Sequence, residues 1–183
     1  MPRANVRKNT VIHNELKIVG KSGIYCFLPY ATLDKHGKAV FKIGMTTRDF
    51  ADRIEDYHTY YPMGVYMVFM LTYEKMRGFS RLSAAEKKTK KKVLEEAVMH
   101  AVAEDFGGKR MQFHSRPGRT GVAPRSEWVY ASYEQIEQAF EKIQTEHGGT
   151  LHKGHLGDID ETYKLDKKAK NTYEAKILYT VGL

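Results

Sequence analysis

Tyr25, Lys42, Arg53 and Tyr57 are the residues in the first third of the chain whose types suit chemistry on a phosphate. Tyr25 lies in "SGIYCFLPYA" and Lys42 in "FKIGM", two runs that read as neighbouring strands. In adjacent antiparallel strands the two can stand opposite one another on one face. A nearby ammonium would favour the phenolate, which could activate a water directly or through a second water. Arg53 and Tyr57 sit one helical turn apart in "TTRDFADRIEDYH" and are aimed back at Gly44, where a phosphate could approach the backbone closely. Arg53 would offer a planar donor fork to the charge building on phosphoryl oxygens. Tyr57 would hydrogen-bond the phosphate or orient the nucleophile. Glu96 is the first candidate to ligate one divalent ion, Mg²⁺ or Mn²⁺, that would stabilise a leaving oxygen. Glu95 is its rival one position earlier, because Glu96 lies away from the apolar stripe of its helix. Glu127 is a third candidate carboxylate.

Each of these residues also admits a purely structural role. Tyr25 and Tyr57 suit the edge of a core, and Lys42 suits a solvated sheet position. Arg53 can pair with Asp49 or Asp56 on its own helix for tenths of a kcal/mol. A site requires Tyr25, Lys42, Arg53 and a glutamate to converge on one open basic cleft. A buried Tyr25, or no carboxylate within reach, would sink the enzyme reading.

The elements that must position these residues follow from the patterning. "GIYCFLPYA" and "KAVFKIGM" form an antiparallel hairpin around the turn residues "DKHGK". A helix runs from about Thr47 to His58, with Phe50, Ile54 and Tyr57 on one stripe and a capping box from Thr46 to Asp49. Pro62 and Gly64 break the chain before "VYMVFMLTY", a strand buried on both faces. Ser83 and Glu86 form a second capping box, opening a helix to about Asp105 with Leu94, Ala97, Val98 and Ala101 as its stripe. Residues 107–126 form a loop rich in Gly, Pro and Arg, "EWVYA" is a short strand, and Ser132 caps a helix over "YEQIEQAFEKIQ". "LKIVG" is a short strand in the N-terminal arm, "HGGTLHKGHLGD" is loop-like, and "YEAKILYTV" is a terminal strand. The fold class is α+β, a small central antiparallel sheet flanked by helices, with a C-terminal extension.

Composition narrows the partners. The 183 residues are 42% hydrophobic and 11% aromatic, enough for a core, and the net charge is +8. Between Arg81 and Arg125 eleven basic residues face five acidic ones. Lys87, Lys88, Lys91, Lys109, Arg110, Arg116, Arg119 and Arg125 would therefore track a nucleic-acid backbone, although a lysine run is also an ordinary solvated face. Cys26 is the only cysteine, which excludes a disulfide framework. No apolar run approaches a membrane span and no secretory signal is evident, so a reducing cytoplasmic or nuclear setting is expected. His147, His152 and His155 with Asp158 match no strong metal-ligand spacing.

Gly23-Ile24-Tyr25 and Lys42-Ile43-Gly44 together resemble the two halves of the GIY-YIG nuclease signature, in the KIG form of phages and large DNA viruses. Lysine stands where most of the family has tyrosine, and the sixteen residues between Tyr25 and Lys42 make a longer hairpin loop than usual. Arg53, Tyr57, the pair Glu96 and His100 on one helix, and "EWV" at 127–129 follow in the family's order. The resemblance implies a metal-dependent endonuclease acting on DNA, with Tyr25, Lys42, Arg53, Tyr57 and His100 catalytic and Glu96 or Glu127 holding Mg²⁺. It also implies a division into a basic arm (1–22), a GIY-YIG-like domain (23–146) and an extension (147–183). The alternative is an inactive nucleic-acid-binding or virion-associated protein that keeps the fold, with the extension as a partner contact.

Overall fold

The computed structural model describes residues 21–29, 38–58, 65–111 and 127–153. The arm and its "LKIVG" strand, the hairpin turn before Lys38, the Pro62–Gly64 break and the strand expected at 173–181 lie outside the described residues. So do Arg116, Arg119 and Arg125.

Among the described residues a six-stranded antiparallel sheet is the centre of the α+β fold. Its strands are β1 (Gly23–Pro29), β2 (Lys38–Met45), β3 (Val65–Met76), β4 (Lys109–Arg110), β5 (Trp128–Ser132) and β6 (Gly148–Lys153), in the order β4-β5-β2-β1-β3-β6. Strand alternation sorts β1 into two cores. Ile24, Cys26 and Leu28 enter the larger one, and Tyr25 and Phe27 enter the smaller one on the opposite face. In β3 a bulge opposite Cys26 and Phe27 breaks the alternation. Val68 and Phe69 consequently both serve the larger core, while Met67 and Met70 serve the smaller.

Helix α1 (Phe50–His58) covers the smaller core with Phe50 and Tyr57. Full burial of Phe50 contributes roughly 1.5–3 kcal/mol, and the Phe50 N–H donates to the Lys21 carbonyl at 3.0 Å, tying the helix start to the lead into β1. The capping box expected from Thr46 to Asp49 would open the helix at Thr47, whereas the helix starts at Phe50. The Thr46 hydroxyl instead accepts from the Arg48 N–H at 3.1 Å, a local turn that delays the helix to Phe50.

Helices α2 (Ala84–His100) and α3 (Tyr133–His147) cover the larger core with Leu94, Val98 and Met99 and with Ile136, Ala139, Phe140 and Ile143. Ser83 and Glu86 close the capping box of α2, and Ser132 and Gln135 close that of α3. α2 continues as a π-helical turn, Ala101–Asp105, so the helical run does end at Asp105. Residues 148–153, expected as loop, form β6. The glycines mark only its entry, with φ of +79° at Gly148 and +101° at Gly149. Thr150 to Lys153 then pair with β3 as an edge strand, which tolerates polar residues.

Candidate active site

The register of β1 on β2 decides how the first site residues meet. Tyr25 stands opposite Gly44, and Lys42 opposite Phe27. Tyr25 and Lys42 thus share a face but are diagonal neighbours, one step out of the expected pairing. The Tyr25 ring lies across Gly44: a Cβ built there would be 2.5 Å from the Tyr25 hydroxyl oxygen and 2.7 Å from Cζ. Gly44 makes room for a tyrosine, which corrects its expected role as an open backbone for phosphate. The ring packs edge-on against Phe50 and is 1% exposed.

From the facing helix, α1 lowers Tyr57 and Arg53 onto that hydroxyl. The Tyr25 and Tyr57 hydroxyl oxygens are 2.6 Å apart, and Arg53 Nε donates to Tyr25 at 3.2 Å. Burial, together with the hydrogen bond to Tyr25, pushes the Tyr57 hydroxyl well above its ordinary pKa, so Tyr57 keeps its proton at neutral pH. Arg53 also lies over the Tyr57 ring, 4.9 Å from its centroid, and donates through Nη1 to Asp56 at 3.1 Å. Asp56 is shared with Arg48 from the turn before the helix. Arg53 therefore does pair with Asp56, as its structural reading required, while its Nε reaches the tyrosine. The guanidinium is the exposed side of the group, at 35%.

Lys42 approaches Tyr57 from the sheet. Its ammonium is 5.8 Å from the Tyr57 ring centroid and 5.7 Å from that of Trp128, and it is paired with the Glu127 carboxylate. β5 begins one residue later, at Trp128 opposite Lys42, so β2 runs on through Met45 beyond it. There α2 supplies Glu95 from the other side, within electrostatic reach of Lys42 and Glu127. Burial, then the like charge of Glu127, pushes the Glu95 carboxyl up to about 7, against the opposing pull of Lys42.

Glu96 is placed elsewhere. Its two oxygens are gripped by the Arg110 guanidinium at 2.5 and 3.1 Å. Between the two adjacent glutamates, the structure joins Glu95 to the Lys42–Glu127 pair and gives Glu96 to the edge strand β4. His100 is exposed at the end of α2, with Asp105 as an electrostatic neighbour. Arg53 and Tyr57 thus meet Tyr25, Lys42 with Glu127 on it joins at the Tyr57 ring, and Glu95 lies within electrostatic reach of that pair, but Tyr25 itself is buried, short of the open cleft expected.

Residues 23–144, well over half of the chain, match the T5orf172 domain. The chain belongs to the T5orf172 domain family. This domain is found in phage proteins and is associated with GIY-YIG-like and HNH-like nuclease folds. No curated protein and no solved structure matches the chain at a significant level.

The matched span of this T5orf172 domain contains the whole cluster, from Tyr25 to Glu127. Of the basic residues expected to track a backbone, Lys88 and Lys109 are exposed and Lys87 is half-buried. Arg110 is committed to Glu96. Lys91 folds over Tyr73 and Phe79, its pKa lowered by burial and by Lys87. Sequence reasoning placed Glu95 second and missed Asp56 as the bridge between Arg48 and Arg53. The helical spacing of Arg53 and Asp56 was the available signal for the latter. No helix among the described residues is long and apolar enough to cross a membrane.

The donor set bears on the expected metal. Among the described residues no group of three or more ligating side chains forms a ready cage. Mg²⁺ ordinarily takes one or two carboxylates and completes its shell with water and phosphate. Glu95 and Glu127 provide such oxygen donors, and a divalent cation would offset the burial and the like charge of Glu127 that together raise Glu95.

Proposed function

We propose that this protein is a divalent-metal-dependent endonuclease of the KIG-type GIY-YIG kind, hydrolysing DNA phosphodiesters at the Tyr25 cluster. The observation that carries the reading is the convergence on Tyr57. Its hydroxyl meets Tyr25, its ring carries the cations of Arg53 and Lys42, and Glu127 links Lys42 to Glu95. Because Tyr57 retains its proton, it can donate to Tyr25 while Arg53 Nε donates to the same oxygen. Both bonds then end on the Tyr25 oxygen, which as a phenolate, its own proton given up to solvent, would take a proton from the attacking water. Arg53 has further N–H groups beyond those on Tyr25 and Asp56, and these suit the phosphoryl oxygens. A phosphate attracts that guanidinium more strongly than a neutral hydroxyl does. Binding of substrate would thus draw Arg53 outward and open a path to Tyr25. Glu95, with Glu127 beside it, would hold a Mg²⁺ whose charge stabilises the leaving oxygen. Lys42 would hold Glu127 in place and add positive charge beside the substrate.

The burial of Tyr25 favours a second reading, a T5orf172 member that binds nucleic acid and does not cut it. Plasmid cleavage with Mg²⁺ or Mn²⁺ separates the two. The endonuclease reading expects cleavage by the wild type and losses on the order of 10²-fold or more for Arg53→Ala. Tyr25→Phe and Glu95→Ala should fall comparably, while Glu96→Ala retains activity. Equal cleavage by wild type and the first three variants removes this site. Shifted DNA with no product in any metal leaves the binding reading.

A further inference from the structure

Alternation divides β2, β5 and β4 between the two faces of the sheet. Ala39, Phe41, Ile43, Val129 and Ala131 are fully buried in the larger core. The opposite face, which carries Tyr25 and Phe27 on β1, continues outward through Lys42 and Trp128, then Val40 and Tyr130, then Lys109. Arg110, the next residue of β4, points the other way, as its bond to Glu96 of α2 requires. On the outward face Lys38, Val40, Lys42, Trp128 and Tyr130 are only half-buried, and Lys109 is exposed. Two of these residues are aromatic, and each has a lysine over its ring. The Lys42 ammonium lies 5.7 Å from the Trp128 centroid, and that of Lys38 lies 5.8 Å from the Tyr130 centroid. Core packing accounts for Trp128 in part, since it meets Phe27 edge to face at 6.1 Å. It does not account for Tyr130, which belongs to neither core among the described residues.

Half-exposed rings interleaved with lysines are what unpaired nucleotides need, a π-face for each base and a cation for each phosphate. The spacing selects against a duplex. Trp128 and Tyr130 are two residues apart on one strand, so their Cα atoms stand about 6.6 Å apart. Successive bases of a duplex rise only about 3.4 Å, and their faces are already stacked on one another. Two neighbouring bases can take the two rings only when unpaired and splayed. We infer that this sheet face binds a single-stranded DNA segment beside the candidate active site, with Trp128 and Tyr130 stacking on two bases. Lys38, Lys42 and Lys109 meet the flanking phosphates, where each ammonium gains a full negative charge in place of a ring. Lys42 makes the junction with the site, because the same ammonium is 5.8 Å from the Tyr57 ring centroid. The inference rests on the nuclease reading and narrows its substrate to DNA with unpaired nucleotides beside the cut.

Trp128 is the sole tryptophan of the chain, so indole emission reports a base arriving on its ring. The test titrates the full chain, in chelator so that nothing is cut, with oligothymidylate and with a blunt duplex of equal length. Emission should fall with the oligothymidylate and stay level with the duplex. Tyr130→Leu fills the space without a π-face and should bind the oligothymidylate about 5–150-fold more weakly, the loss of one stacked base. Tyr130→Phe keeps the ring and should bind as wild type does. Equal quenching by both DNAs overturns the inference, as does wild-type affinity in Tyr130→Leu. An equal loss in Tyr130→Phe overturns it too, since the hydroxyl and not the ring would then hold the DNA. Plasmid cleavage with Mg²⁺ but no quenching by oligothymidylate leaves the nuclease reading and removes this one. Binding of neither DNA removes both.

Discussion

Replacing Gly44 by alanine tests the heart of the site without touching a polar atom. The added methyl would stand 2.5 Å from the Tyr25 hydroxyl oxygen, 2.7 Å from Cζ and 3.1 Å from Cε2. None of these can persist, and the ring has little freedom to leave. It is packed against Phe50 and Tyr57 in the smaller core, with Phe27 on the same face of β1. Overpacking of this kind costs about 1–3 kcal/mol. Displacing the ring by about an ångström also breaks the 2.6 Å bond to Tyr57, leaving a buried hydroxyl unpaired at a further cost of roughly 1–3 kcal/mol. The combined loss of roughly 2–6 kcal/mol should lower Tm by about 4–24 °C in a chain of this size. Thermal unfolding of Gly44→Ala measures it, and the double variant with Tyr25→Leu supplies the control. Removing the ring removes both the clash and the hydroxyl, so the alanine should cost far less in that background. A Gly44→Ala protein as stable as wild type would refute the ring-over-glycine geometry. So would an alanine cost that is unchanged by Tyr25→Leu. The first outcome would restore Gly44 to the open backbone that its place after a strand suggested.

Three further expectations follow from the same geometry. With Glu95 pushed up to about 7 by burial and by Glu127, the folded state holds that proton more tightly than the unfolded chain does, so the group's stabilisation is complete below about pH 4.5 and is lost as pH rises through 7. In chelator, Glu95→Gln should then gain stability over wild type above pH 7, by roughly 1–2 kcal/mol after discounting for solvent screening. The gain should vanish near pH 4, and a pH-independent difference in Tm would contradict it. Ser83→Ala removes the oxygen that accepts the Glu86 N–H and should cost about 1 kcal/mol in urea unfolding with m unchanged. Arg110→Ala should lower stability by no more than about 1–3 kcal/mol and leave metal binding intact, since Arg110 serves Glu96. A loss of metal affinity in Arg110→Ala would move the ligand role back to Glu96.

What could be read from residues alone was whatever depended on one element at a time. The alternation of "GIYCFLP", the all-apolar "VYMVFML" and the Ser83–Glu86 box each fix a strand or a helix start by local rules, and each appears in the sheet or at the cap. The points that differ are those that require knowing how two elements meet. Tyr25 and Lys42 were on the right face, but the register that places Gly44 opposite the tyrosine is set by the β1–β2 pairing across a long loop. Glu96 comes ahead of Glu95 on the resemblance, four residues before His100, although it lies off the apolar stripe. Yet β2 outruns β5 at Met45, and the carboxylate nearer the packed face is the one within electrostatic reach of Lys42 and Glu127 there. A helical periodicity cannot contain the length of a strand on the other side of the sheet. The same reasoning explains β6. Two glycines and a histidine read as loop until β3 offers an edge, and pairing then overrides propensity. The cluster's chemistry is thus written in residue types. Which glutamate joins it is written in where the strands stop.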